Sequence, residues 1–295
     1  MQASMRLLNS LVSIFLVIPL LSAAYSVLRS PNVSESKLPT GNDAIKRGEY
    51  LVNAGGCISC HQDSTVDILQ LSGGLAIESE FGIFYAPNIT PDTRTGIGAW
   101  TAKEFLLAMQ HGRSPSGGFY FPAFPYRSYA GLKDSDVLDI AAYLISMPPV
   151  TSVAPEHETP FWLSSWMMAG WNVLADLQEP LSERFDEPEL ERGAYLARNL
   201  GHCGECHTPR NALGIPNGRR EFAGAELSDG HVEAIDTAAL EGWTKEDFAF
   251  FLFLGMKPDG EYVGGEMESV IEHNTSKLND EDRQALAAFF TRSRN

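Results

Sequence analysis

A chain of 295 residues, 44% hydrophobic and 20% charged, has a globular composition with room for one large domain or two ordinary ones, which excludes a disordered polymer. A formal net charge of −16 argues against nucleic acid as the main partner, because phosphate backbones are held by Lys and Arg. The acidity is uneven: residues 151–295 carry 26 acids against 12 bases. Such a half steers basic partners at low salt or simply keeps a surface solvated.

The N-terminus reads as an export element. Residues 7–28, LLNSLVSIFLVIPLLSAAYSVL, follow Arg6 and carry no charge. Roughly 20 apolar residues span a bilayer as a helix, and the preceding Arg places the bulk of the chain outside the cytoplasm. Ser22, Ala23 and Ala24 also resemble a signal cleavage region. Residues 1–30 are therefore expected to be a signal sequence or a transmembrane anchor, the anchor being favoured by the length of the run.

The rest of the chain contains an approximate repeat. KRGEYLVNAGGCISCH (46–61) is echoed by ERGAYLARNLGHCGECH (191–207), WTAKEFLLAMQHG by WTKEDFAFFLFLG, and LKDSDVLDIAAYL by LNDEDRQALAAFF. The blocks keep their order at nearly constant offset: Cys57 to Cys203 is 146 residues, Trp100 to Trp243 is 143 and Leu132 to Leu278 is 146. Two homologous domains are expected, over 31–154 and 186–295. Each reads as mostly helical. Asp134-Ser135-Asp136 and Asn279-Asp280-Glu281-Asp282 have the character of caps and first turns. Apolar residues follow at helical spacing: Val137, Ile140, Ala141 and Leu144, then Leu286, Phe289 and Phe290. Gly- and Pro-rich loops separate these helices. Short helices around long loops lack a dense core of their own, so another group is expected to fill the middle. Residues 155–185 between the repeats are rich in Trp, Phe and Met, and predict a short apolar helix. It is a linker packed on both domains, or a docking surface for a partner or the bilayer interface.

The four cysteines fall in two Cys-x-x-Cys-His motifs, CISCH and CGECH. A zinc ribbon places its pairs about 15–20 residues apart, and a thioredoxin-like dithiol sits in a βαβ context. Neither fits two copies inside complete helical repeats. The remaining reading is covalent haem c attachment. Cysteines three apart lie on one face of a helical turn and reach two vinyl groups of one porphyrin. The next residue, His, is then held under the iron. Cys57, Cys60 and His61 are expected to bind one haem, Cys203, Cys206 and His207 a second.

A Met sulfur often completes such iron. In the second repeat Met267, in GGEMESV on a Gly-rich loop, is the candidate; Met256, at the end of the preceding helix, competes. The offset of 143 maps Met267 to Phe124, which has no donor atom. For the first haem Met109 ranks ahead of His111, both on the preceding helix and expected to line the distal face, while Met147, Met167, Met168 or an open iron remain as alternatives. Trp100 and Trp243, equivalent in the repeat, are core aromatics or donors to haem propionates. His157, His231 and His273 receive no role, and His202 reads as a surface residue.

The chain resembles the multi-haem cytochrome c subunits of membrane-associated bacterial alcohol, gluconate and aldehyde dehydrogenase complexes. The resemblance rests on RGEYL, CISCH, FGIFYAPNITPDTRTGIGAWT, FYFPAFPYRSYAGL, MMAGWNVL, RGAYLARNLGHCGECHTPRN and GGEMESVIEHNTSKLNDED, and covers nearly all of the exported part. It implies two tandem class I cytochrome c-like domains in a mainly α fold, two covalent haems c, and Met267 as a distal ligand. Several members of the family carry a Met at the position of Phe124. It implies electron relay from a partner dehydrogenase to quinone, a cytochrome or a terminal oxidase, on the periplasmic side of the inner membrane. The competing reading is a di-haem enzyme, peroxidase-like or thiosulfate-oxidising, with one open haem site; otherwise the chain is a non-catalytic subunit.

Overall fold

A computed structural model describes residues 31, 33, 36–62, 71–178, 183–228 and 230–292. The expected signal or anchor, residues 1–30, lies outside them. Among the described residues no helix is long and apolar enough to cross a membrane.

The fold is mainly helical. The first half contains α1 (Asn42–Ala54), α2 (Cys57–His61), a hairpin of β1 (Ala76–Ser79) and β2 (Gly82–Tyr85), α3 (Ala102–His111), α4 (Tyr126–Tyr129) and α5 (Asp134–Ser146). Helix α6 (Met167–Asp176) occupies the region between the repeats. The second half contains α7 (Pro188–Tyr195), whose last turn widens into a π-turn over Leu196–Leu200, then α8 (Gly204–His207). It continues with β3 (Ala225–Leu227) paired to β4 (Gly230–Val232), α9 (Lys245–Leu254), α10 (Glu266–His273) and α11 (Asp280–Thr291). Both two-stranded hairpins are antiparallel and stand in the loops that follow the Cys-x-x-Cys-His motifs, where only loop was expected. At so few residues each, their strands give no sequence periodicity.

Local chemistry sets the helix ends. Thr101 and Thr244 close capping boxes with Glu104 and Asp247, and Gly112 and Gly255 end α3 and α9 in the left-handed region at φ 60° and 73°. Asn279 caps α11 by accepting from the Asp282 N–H at 2.8 Å. In the first half the cap position is Lys133, without a side-chain bond; Asp134 and Asp136 instead sit in the first turn, where they complement the helix dipole.

The core rests on two helix crossings. A Cβ at Gly48 would lie 1.9 Å from the Asp139 carbonyl oxygen, and one at Gly193 would lie 2.0 Å from that of Ala285. Only glycine lets α1 meet α5, and α7 meet α11, at that distance. The close crossings let short helices bury Leu106, Val137, Ile140, Leu196, Leu200 and Phe289 in one cluster that runs through both halves. This corrects the expectation that the helices have no dense core of their own. Cys57 and Cys203 are partly buried against the cluster.

Candidate functional site

Each Cys-x-x-Cys-His motif forms one helical turn at the end of a longer helix. Gly56 enters α2 at φ 64°, while α8 follows the π-turn. The thiols are not joined in disulfides. Burial pushes the Cys57 and Cys203 thiols up to about 12, so they are protonated apolar groups at neutral pH. Among the described residues, no three His, Cys, Asp or Glu side chains converge to hold a bare metal ion.

Where each imidazole turns is the same in both motifs. His61 Nδ1 hydrogen-bonds the Pro87 carbonyl oxygen at 2.8 Å, and His207 Nδ1 that of Glu233 at 2.7 Å, each acceptor 26 residues downstream. Burial lowers both imidazoles below their usual value, against the smaller opposing effect of those carbonyls. The rings are thus neutral, with the proton on Nδ1 and the lone pair on Nε2, the form that ligates a metal. Neither Nε2 has a hydrogen-bond partner among the described residues.

The sequence builds the two acceptor loops differently. In the first, Asn88 Nδ2 donates to the Val150 carbonyl, and Asp92 accepts from the Thr95 N–H at 2.7 Å and from the Thr95 hydroxyl at 2.8 Å. These bonds pull the Asp92 carboxyl down to about 2. In the second, Asp236 accepts from the Ala238 and Ala239 N–H groups, and Ile235 N–H donates to the Phe222 carbonyl at 2.8 Å. A rigid loop fixes the carbonyl, and the carbonyl fixes the ring.

The two motifs meet. Burial lowers the imidazole of His202, directly before Cys203, and the backbone of Gly55, two residues before Cys57, is among the groups that oppose that shift. The His202 ring stands edge-on to Tyr129 at 5.6 Å. Burial, with Cys57, Cys60 and Glu205 adjacent, holds the Tyr129 phenol well above its usual range. Ser128 donates to Glu205 at 2.7 Å, and Glu205 also pairs with Arg210 at 2.6 Å. His202 is therefore half-buried between the motifs rather than an exposed surface residue. It occupies φ 38°, in the left-handed region, where the repeat offset of 146 places Gly56. A side chain kept at a glycine position is the signal that could have drawn it from the sequence.

No family model matches the chain. A di-haem c-type cytochrome of Cereibacter sphaeroides is 40% identical over 291 residues, covering 96% of this chain and 98% of that protein. The gluconate 2-dehydrogenase cytochrome c subunit of Pantoea cypripedii is 36% identical over 264 residues, 84% of this chain and 59% of that protein. The fructose dehydrogenase cytochrome subunit of Gluconobacter japonicus is 36% identical over 253 residues, 83% of this chain and 52% of that protein. The chain belongs to the di-haem c-type cytochromes.

The donor set of this cytochrome fits haem c. Two thiols outside any disulfide stand on one turn at the spacing that thioether attachment needs, and a neutral imidazole follows each pair. The candidates for the opposite side of each iron are scattered. Met267 is half-buried in the first turn of α10, after Gly265 at φ 66°, and not on a loop. Glu266, Glu268 and Ser269 around it hide the amphipathic helix from a reading of GGEMESV alone. Met256 lies beyond the end of α9 and pairs in a bridge with Tyr262. Met109 is buried in the core cluster, whereas His111, at the end of the same helix, is exposed, so the two do not share a face. Phe124 packs against the rings of Tyr120, Tyr126 and Tyr129. Met147 follows α5 and Met167 and Met168 open α6. Trp100 meets Phe105 edge-on, as Trp243 does Phe248 and Phe251; neither indole N–H donates to a described residue.

Proposed function

We propose that this cytochrome relays electrons from a partner dehydrogenase through two covalently bound haems c to a respiratory acceptor, a quinone, a cytochrome or an oxidase. Residues 31–154 and 186–295 are two tandem class I cytochrome c-like domains joined by residues 155–185. Cys57 and Cys60 hold one haem with His61 beneath the iron; Cys203, Cys206 and His207 hold the other. Met267 is the sixth ligand of the second haem and Met109 of the first. Residues 1–30 export the chain, as signal or anchor, and the relay works on the periplasmic side of the inner membrane. The dehydrogenase partner is supported by the names of the gluconate and fructose dehydrogenase cytochrome subunits.

One observation carries the reading: the paired Nδ1 hydrogen bonds of His61 and His207, each to a carbonyl 26 residues on. Haem supplies a one-electron couple, and the protein sets its potential through ligands, hydrogen bonds and burial. The chain's own residues do the rest. The Pro87 and Glu233 carbonyls orient each imidazole and raise the basicity of its Nε2. Cys57 and Cys203, partly buried against the core cluster, anchor an apolar disc there. The indole N–H groups of Trp100 and Trp243 are available to an acidic edge of that disc.

Phe124 has no donor atom, and this keeps the open-site enzyme as the rival. Optical and EPR spectra of the oxidised and reduced protein, with and without Met109→Leu, separate them. The relay reading expects two low-spin haems in the wild type and one converted to high spin in the variant. A high-spin haem already in the wild type would remove Met109 as ligand and favour the di-haem enzyme.

A further inference from the structure

Helix α6 is apolar on both faces, and only one is covered. Met168, Ala169, Asn172 and Ala175 are buried, with Met168 and Ala169 packed against Phe119. The other face carries Trp166, Val173, Leu174 and Leu177 at helical spacing, with exposures of 60%, 36%, 45% and 79%. The adjoining turn adds Phe161 and Trp162, and Trp171 ties the helix to the loop after the second motif by donating to the Leu213 carbonyl at 2.8 Å. An apolar face of this size at helical spacing marks an interaction site.

Charge decides between two occupants. An interfacial helix that lies on anionic lipid carries Lys and Arg on its polar side. Residues 134–183 contain no Lys or Arg and eight acids, and Glu156, Glu158 and Glu183 are exposed. Arg127 offsets Asp176 at 3.0 Å, and Arg292 lies 3.6 Å from Glu183, which leaves Glu156 and Glu158 by the adjoining turn as acids that repel anionic headgroups and complement a basic protein. We propose that the exposed face of α6 docks a protein partner bearing an apolar cleft rimmed by Lys and Arg, and that this partner is the dehydrogenase subunit. The assignment rests on the relay reading. Docking there sets the partner beside the loop that Arg210 folds onto Glu205, next to Cys206, an exposed thiol.

The test uses the full chain in its native host. A photo-reactive phenylalanine analogue replaces Trp166 or Leu174, with exposed Glu281 as control position, and cross-linked peptides are sequenced. The expected product is one dehydrogenase peptide, apolar and flanked by Lys or Arg, absent from the control. Cross-links to lipid, to residues 1–30, to a second copy or to another protein overturn the proposal, as does equal yield at Glu281. Trp166→Ser/Leu174→Ser is expected to lower dehydrogenase co-purification at least tenfold with both haem spectra intact; unchanged co-purification overturns it. Binding to phosphatidylcholine–phosphatidylglycerol vesicles should be equal for variant and wild type, and a loss in the variant makes lipid the occupant. The spectra are read independently. Two low-spin haems without the cross-link sink only the docking site, whereas a high-spin haem in the wild type sinks the relay reading itself.

Discussion

His202 concentrates the chemistry of the site in one side chain. A non-glycine residue in the left-handed region costs about 1–2 kcal/mol, and Gly56 occupies the equivalent place in the first motif at φ 64°. The strain is offset by an edge-on ring contact with Tyr129. His202→Gly should therefore change stability by less than about 1 kcal/mol, the relieved strain cancelling the lost ring contact. It should nonetheless move the midpoint potential of at least one haem, because the ring that packs on Tyr129, beside Cys57 and Cys60, is gone. Spectroelectrochemical titration beside a denaturant curve checks both. An unmoved potential would reduce His202 to packing. The two Cys-x-x-Cys-His motifs were legible from spacing alone, since they form a chemical pattern. His202 was not, because adjacency to Cys203 says nothing about what the ring reaches across the fold.

Among the elements, the helices follow from local rules and the crossings do not. Val137, Ile140, Ala141 and Leu144 have helical spacing, and all four are buried. Thr101 and Thr244 three residues before Glu104 and Asp247 are capping boxes that the sequence displays openly. The hairpins escape because three- and four-residue strands carry no period, and the contact of Gly48 with α5 escapes because its partner is 91 residues away. That contact makes a sharp prediction. Gly48→Ala gains about 1 kcal/mol of helix propensity but drives a methyl into the Asp139 backbone. Overpacking of this kind costs about 1–3 kcal/mol, here at the upper end, because main chain cannot turn aside as a side chain can. A lower urea midpoint for Gly48→Ala, and almost none of that loss for Gly41→Ala, where a Cβ meets nothing within 4 Å, is the expected pair of results. Equal midpoints would mean that the helices slide apart without loss.

For the whole molecule, the repeat foretold which elements recur but not how the halves hold each other. They do so reciprocally. Tyr50 in the first half donates to Asp282 in the second, and Tyr195 in the second donates to Asp136 in the first, both at 2.6 Å. The offsets, 145 between the tyrosines and 146 between the aspartates, are those of the repeat itself. Burial pushes the Asp282 carboxyl up, but Arg192 and Tyr50 outweigh it and hold the group below its usual value. A hydrogen bond to a charged group contributes about 1.5–3 kcal/mol, so the two phenols together supply several kcal/mol of coupling at a boundary also held by the Ser128–Glu205 hydrogen bond and the shared apolar cluster. Tyr50→Phe/Tyr195→Phe leaves Asp282 paired with Arg192 at 2.7 Å and both ring volumes in place, so it removes coupling without opening a cavity. Calorimetry of the haem-loaded protein should then resolve two transitions where the wild type has one. The two single variants should each lower the transition temperature without splitting it, because one clasp still spans the boundary. A double variant that keeps a single transition would assign the coupling to the cluster around Leu106, Leu200 and Phe289, and the tyrosines would be ornaments of an interface that apolar packing already holds.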